Sequence, residues 1–144
     1  MAGVVESIHI ARVATELPDS VERATAVAGR GLEGDRYFEG AGTFSGWPGE
    51  RDLTLIAAEA VDDVGLEPAA ARRNVVVRGV DLDGLVGRRF RIGAVECEGL
   101  ELAPPCKHLA QLTRPDVLKG LAGRGGLRAA ITEGGEIAVG DAVR

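Results

Sequence analysis

The chain has 144 residues, 45% of them hydrophobic and 27% charged, ordinary proportions for one globular domain over residues 1–144. Its net charge of −5 excludes general nucleic-acid binding, and no apolar run approaches the roughly 20 residues that a membrane span needs. Two cysteines are too few for a disulfide framework and the N-terminus has no basic n-region, so a reducing cytoplasmic location is expected.

In chain order, "VVESIHIARV" alternates as a first strand. "SVERATAVAG" fits strand or helix by pattern, and its β-branched residues and following glycines favour strand. "DLTLIAAEAVDDVGL" begins as a strand near Leu53 to Ile56. It then takes helical spacing through Ala58, Val61 and Val64, with Gly65 placed as a C-cap. "RNVVVRG" is a compact buried strand, and "RRFRIGAVECEGLEL" is a hairpin turning at Gly93-Ala94. "HLAQLT" and "PDVLKGLAG" are short helical pieces, and "GLRAAITEGGEIAVGDAVR" is a second hairpin turning at Gly134-Gly135. Many short strands with few helices predict a mainly β fold. It is a closed or nearly closed, mostly antiparallel β-barrel with short helices at its rim.

The residues with chemistry concentrate in a few segments. In "APPCKHLAQLTRP", Pro104 and Pro105 forbid helix, so a helix starts only at or after Cys106. A thiol at that N-terminus, beside Lys107 and His108, is in the environment that lowers a cysteine pKa and yields a thiolate. Such a thiolate attacks sulfur, carries a persulfide or binds a soft metal; the alternative is a small side chain filling an apolar hole. Cys97, flanked by Glu96 and Glu98 in an alternating strand, points inward as an inert core residue. Cys97, Cys106, His9 and His108 lack any CxxC or HxxxH spacing, so no zinc site is expected.

Arginine outnumbers lysine fifteen to two, which fits either planar recognition of anions or the codon bias of a GC-rich genome. "GRGLEGDRYF" puts three glycines ahead of Asp35 and Arg36, as an anion-cradling loop or as a tight turn with an ion pair. "ARRNVVV" places Arg72, Arg73 and Asn74 at a strand entrance, where one arginine faces any cleft and Asn74 is able to bond a ligand ring. "GRGGLRAA" offers Arg124 and Arg128 around a Gly-Gly, either as an anion clamp or as an ordinary turn. His9 reads as structural.

"GRGLEGDRYF", "ARRNVVVRGVDLDGLVGRRFRIG", "LAPPCKHL" and "GRGGLRAAITEGGEIAVGD" together resemble the MOSC domain, the molybdenum cofactor sulfurase C-terminal type. They stand in the family's order over most of residues 25 to 142, and the chain is similar to the small stand-alone bacterial members. The resemblance implies a β-barrel associated with sulfur carriage or transfer and with binding the molybdenum cofactor (molybdopterin); pyridoxal phosphate is associated with the family only at a general level. It implies that Cys106 is the family's cysteine, a persulfide carrier in some members and the molybdenum ligand in others. Gly34, Asp35, Arg36, Arg73 and Asn74 match motif positions near the cleft, and Arg36, Arg73 and Arg124 would hold an anionic ligand. Lys107 and His108 would lower the Cys106 thiol pKa, and His108 would also shuttle protons.

The leading expectation is a sulfur-carrier, sulfurtransferase-type or cofactor-binding domain, served by a cysteine desulfurase or another sulfur donor. One alternative is a molybdenum-dependent reductase component for N-hydroxylated compounds, served by a separate electron-donor protein. A second is a non-catalytic barrel that binds a partner protein.

Overall fold

The computed structural model describes residues 3–10, 19–34, 52–65, 73–102 and 126–144, and these form a closed barrel with a small sheet against it. In chain order the barrel strands are β1 (Gly3–Ile10), β5 (Leu53–Ala57), β6 (Val75–Arg78), β7 (Arg89–Ile92), β8 (Val95–Leu102), β9 (Leu127–Glu133) and β11 (Ala142–Val143). Their spatial order is β11-β7-β8-β9-β5-β6-β1, and β1 pairs with β11 to close the ring. Short β2 (Asp19–Val21) adds to the outside edge of β1. β3 (Arg23–Val27), β4 (Gly31–Leu32) and β10 (Gly135–Ala138) make a separate sheet in the order β10-β3-β4. The mainly β, mostly antiparallel barrel expected from the sequence is the fold observed.

Every barrel pairing is antiparallel except β5 with β6. A parallel pair needs a crossover, and α1 (Ala58–Val64) lies within it. Helix α1 ends where the sequence places its stop, with Gly65 in the left-handed conformation at φ 68°. The helix covers the outer face of the two strands: Ala58, Ala60 and Val61 pack on Ile56 and Val76. Leu53, Leu55, Val75 and Val77 point the other way into the barrel. Burial on both faces explains why "VVV" is a continuous apolar run rather than an alternating one. Each such side chain contributes about 1.5–3 kcal/mol when taken fully out of water.

In β1, Val5, Ile8 and Ile10 all reach the core although Val5 and Ile8 are three apart. A bulge between Val5 and Ser7 supplies the extra residue, since Val5 pairs with Val77 and Ser7 with Val76. Glu6 at the bulge is turned out to an ion pair with Arg78, and Arg78 also holds Asp62 of α1, at 2.8 and 2.7 Å. These two carboxylates raise the Arg78 guanidinium further above its ordinary value.

The β7–β8 hairpin turns at Gly93-Ala94 as expected, with Phe90 opposite Cys97. The second expected hairpin is corrected. β9 and β10 occupy the predicted stretches but do not pair with each other: β9 lies between β8 and β5 in the barrel, and β10 pairs with β3. The reason lies at Gly134, where a Cβ would come within 2.6 Å of the Ala26 carbonyl oxygen. The bare glycine lets the chain leave the barrel and press against β3, so Ile137 of β10 joins Ala24, Ala26 and Leu32 in the common core. The two helical pieces expected between residues 108 and 123 lie outside the described residues.

Candidate functional site

Strand register brings together residues that are far apart in sequence. Glu101 of β8 pairs with Arg128 of β9, and Arg128 pairs with Thr54 of β5. Asn74, just ahead of β6, bonds Thr54 on one side and His9 of β1 on the other. His9 in turn lies opposite Ser20 of β2. The result is a polar row, Glu101–Arg128–Thr54–Asn74–His9–Ser20, on the outer face of five strands and the entrance to a sixth. It is outer because Leu53 and Leu55, on either side of Thr54, point into the core.

Asn74 is central to this row. Its Oδ1 accepts from the Thr54 backbone N–H at 3.1 Å and from the Thr54 hydroxyl at 3.2 Å. Its Nδ2 donates to the His9 carbonyl at 3.2 Å, its own N–H donates to Thr54 Oγ1 at 3.0 Å, and its carbonyl accepts from the His9 N–H at 2.6 Å. Asn74 therefore ties β1, β5 and β6 together at one end of the parallel pair and fixes the backbone from which Arg73 projects. Arg128 donates from Nη1 to Glu101 Oε1 at 2.7 Å, so this guanidinium has an acidic partner within the row.

Arg73, at the entrance to β6, is half-buried. Its Nε lies 3.4 Å from where a Cβ on Gly126 would sit. Gly126 has φ 119°, and a side chain there would run into the Leu55 carbonyl oxygen. Only a bare backbone fits between Leu55 and the Arg73 guanidinium. Gly126 also helps line a cavity of about 190 Å³, together with Ala57, Ala60, Leu82, Asp81 and Asp83. Asp81 uses Oδ1 to accept from the Gly84 N–H at 3.4 Å, which anchors the short 3-10 turn Asp83–Leu85 beside the cavity.

Two buried polar residues complete the surroundings. Asp52 is 5% exposed, and its Oδ2 accepts from the Ile131 N–H at 3.0 Å, extending the β5–β9 ladder by a side chain. Cys97 is fully buried, and burial, with smaller contributions from Asp52 and Glu96, pushes its thiol up to about 12. The inert core role expected for Cys97 agrees with this environment.

His9, also buried, has both ring nitrogens bonded to hydroxyls, Ser7 Oγ at 2.8 Å from Nε2 and Ser20 Oγ at 3.1 Å from Nδ1. Burial holds its pKa below the ordinary 6.5. Between the folded and unfolded values the unfolded chain binds more protons, so this contribution to stability is present above 6.5 and lost as pH falls through the folded value. Denaturant titrations from about pH 5 to about pH 8 are expected to show a lower midpoint at the acid end. The acid loss should be smaller in His9→Gln.

Of the residues singled out in the sequence, the structure places Arg73 and Asn74 side by side at the barrel wall and Gly34, at φ 88°, just beyond β4. Gly31 of the same glycine-rich segment makes its close approach to protein: a Cβ there would stand 2.7 Å from the Asp52 carbonyl oxygen. Asp35, Arg36, Arg72, Cys106, Lys107, His108 and Arg124 lie outside the described residues. No motif in the sequence singles out Asp52, Thr54, Ser20 or the Asp81/Asp83 pair. Only the "VDLDG" alternation offers a signal, for the last pair, whereas the others announce themselves only through register.

Known proteins share this barrel. The MOSC domain model matches residues 49–144, well over half of the chain, and the protein belongs to the MOSC domain family. That family is associated with molybdenum cofactor binding and sulfur chemistry. Among solved structures, the YuaD protein from Bacillus subtilis superposes with a TM-score of 0.82 at 20% identity, over 99% of this chain and 94% of that one. YiiM from Escherichia coli gives 0.70 at 16% identity, over 100% of this chain and 69% of that one. YiiM from Geobacillus stearothermophilus gives 0.72 at 15% identity, over 98% and 73%. At these identities the likeness is one of fold. No protein of curated function matches the chain. Among the described residues no helix is long and apolar enough to cross a membrane.

Proposed function

We propose that this MOSC domain handles sulfur or holds the molybdenum cofactor through Cys106, with Arg73 anchoring the anionic end of the ligand. The observation that carries the reading is the Arg73 guanidinium set against the bare backbone of Gly126, within the segment that the family model matches. A planar cation beside glycine backbone is suited to a phosphate, so these residues would fit the phosphate end of such a cofactor. Asn74 contributes by fixing the strand entrance that carries Arg73. Gly34, Asp35, Arg36 and Arg124 are assigned to the same ligand, and Cys106 to its reacting end.

As a carrier, the Cys106 thiolate attacks the outer sulfur of a donor protein's persulfide. The Cys106 S–S bond forms, the donor's S–S bond breaks, and the donor cysteine leaves as thiolate, so no further oxidant is needed. Lys107 and His108 would favour the thiolate by their charge or hydrogen bonds, and His108 would accept the thiol proton. As a ligand, the same thiolate would bind the molybdenum of the cofactor, which when bound supplies redox and oxygen-transfer chemistry. In that case N-hydroxylated compounds become candidate substrates and a separate electron donor is required.

Intact-mass and metal analysis of one sample, purified from a cofactor-competent host and exposed to a persulfide donor, tests the proposal. The expected result is one extra sulfur on Cys106, or about one molybdenum per chain, lost in Cys106→Ser. Neither species in the wild type, or either one persisting in Cys106→Ser, overturns it.

A further inference from the structure

The Ser7–His9–Ser20 cluster lies at the β1–β2 edge and plays no part in the reading above. Both backbone groups of His9 point toward β6, since its N–H donates to the Asn74 carbonyl and its carbonyl accepts from Asn74 Nδ2. His9 and Ser20 are therefore a narrow, non-hydrogen-bonded pair of the antiparallel ladder, the kind that brings facing side chains closest. Ser20 is exposed, Ser7 half-buried and His9 2% exposed. An exposed hydroxyl thus contacts a buried imidazole whose far nitrogen is held by a second hydroxyl. A nucleophile, a base and a group that orients the base is the arrangement that activates a serine.

We propose that Ser20 is an acyl-acceptor site, with His9 as its base and Ser7 orienting the ring. With the ring proton on Nε2 and donated to Ser7 Oγ, Nδ1 is free to accept the Ser20 proton. Ser20 Oγ then attacks the carbonyl carbon of an activated ester. The Oγ–acyl bond forms, the bond to the leaving oxygen breaks, and the proton taken by His9 Nδ1 departs with the leaving alcohol. Atoms and electrons balance without a co-reactant. Burial keeps the imidazole neutral near neutral pH, which is the form a base requires. Ser20 is exposed, so a small activated ester such as an acetyl ester reaches it directly. The charged groups on the elements around His9 are Asp19 beside Ser20, Glu6 on β1, where it is bound to Arg78, and Arg73 ahead of β6.

The test is to treat the native full chain with p-nitrophenyl acetate and map the acetyl group by peptide mass spectrometry, which separates a Ser20 ester from any cysteine thioester. An acetyl on Ser20 is expected, absent in Ser20→Ala, with the rate at that peptide falling by about 100-fold or more in His9→Gln. His9 is buried and its replacement risks the fold, so the wild-type pH profile provides the independent reading. The Ser20 rate should rise from about pH 5 and level off once His9 is neutral. No acetyl on Ser20, or a Ser20 rate that climbs in proportion to hydroxide without levelling, overturns the proposal.

Discussion

Alkylation of the native protein is expected to leave Cys97 unmodified while a denatured control reacts at both cysteines. The thiolate is the reacting species, and the environment of Cys97 opposes it in every respect. The side chain has no exposed surface, it lies opposite Phe90, and burial plus the nearby Asp52 and Glu96 push its thiol up to about 12. At about pH 8 its thiolate fraction is on the order of 10⁻⁴, against roughly a quarter for a free thiol near 8.5, a deficit of about 10³-fold before access is counted. Iodoacetamide labelling followed by peptide mass spectrometry checks this. Labelling of Cys97 at a free-thiol rate in folded protein would show that the β8 core face is open.

Gly126→Ala is expected to cost about 3 kcal/mol, combining left-handed backbone strain with a clash that neighbours cannot relieve. The new methyl group would meet the Leu55 carbonyl oxygen, which is backbone inside the β5–β9 pairing, and would press on Arg73 Nε. A melting-temperature fall of about 10 °C follows for a domain of this size. The control is Gly29→Ala. Gly29 is also left-handed, at φ 75°, but has nothing within 4 Å of the added Cβ, so only about 1–2 kcal/mol is expected. Equal losses in the two variants would mean that the packing between Leu55 and Arg73 carries no weight.

The barrel was legible in the sequence because its strands are short, alternating or uniformly apolar, and cut by glycine. "RNVVVRG" read as a compact buried strand, Gly65 as a helix stop and Gly93-Ala94 as a hairpin turn, each from a local physical rule. What local rules do not contain is pairing. "AAITEGGEIA" reads as a hairpin, yet β10 leaves its sequence neighbour for β3 because Gly134 fits against Ala26 and Ile137 has a core to join there. The polar row was hidden for the same reason. Thr54, Asn74, His9 and Ser20 are ordinary polar residues until register sets them side by side. Arg73 was legible as a cation at a strand entrance, but its match to Gly126 depends on a glycine more than fifty residues away.

Cys106 is the centre of the proposed function, and its titration is the most direct measurement of it. With Cys97 silent, the rate of iodoacetamide labelling at Cys106 can be followed against pH in native protein. The account predicts an apparent pKa clearly below the free-thiol value of about 8.5, the mark of a cysteine whose surroundings favour the thiolate. An apparent pKa at or above that value would contradict both the persulfide-carrier and the metal-ligand roles. The barrel would then be a scaffold whose second cysteine is as inert as its first.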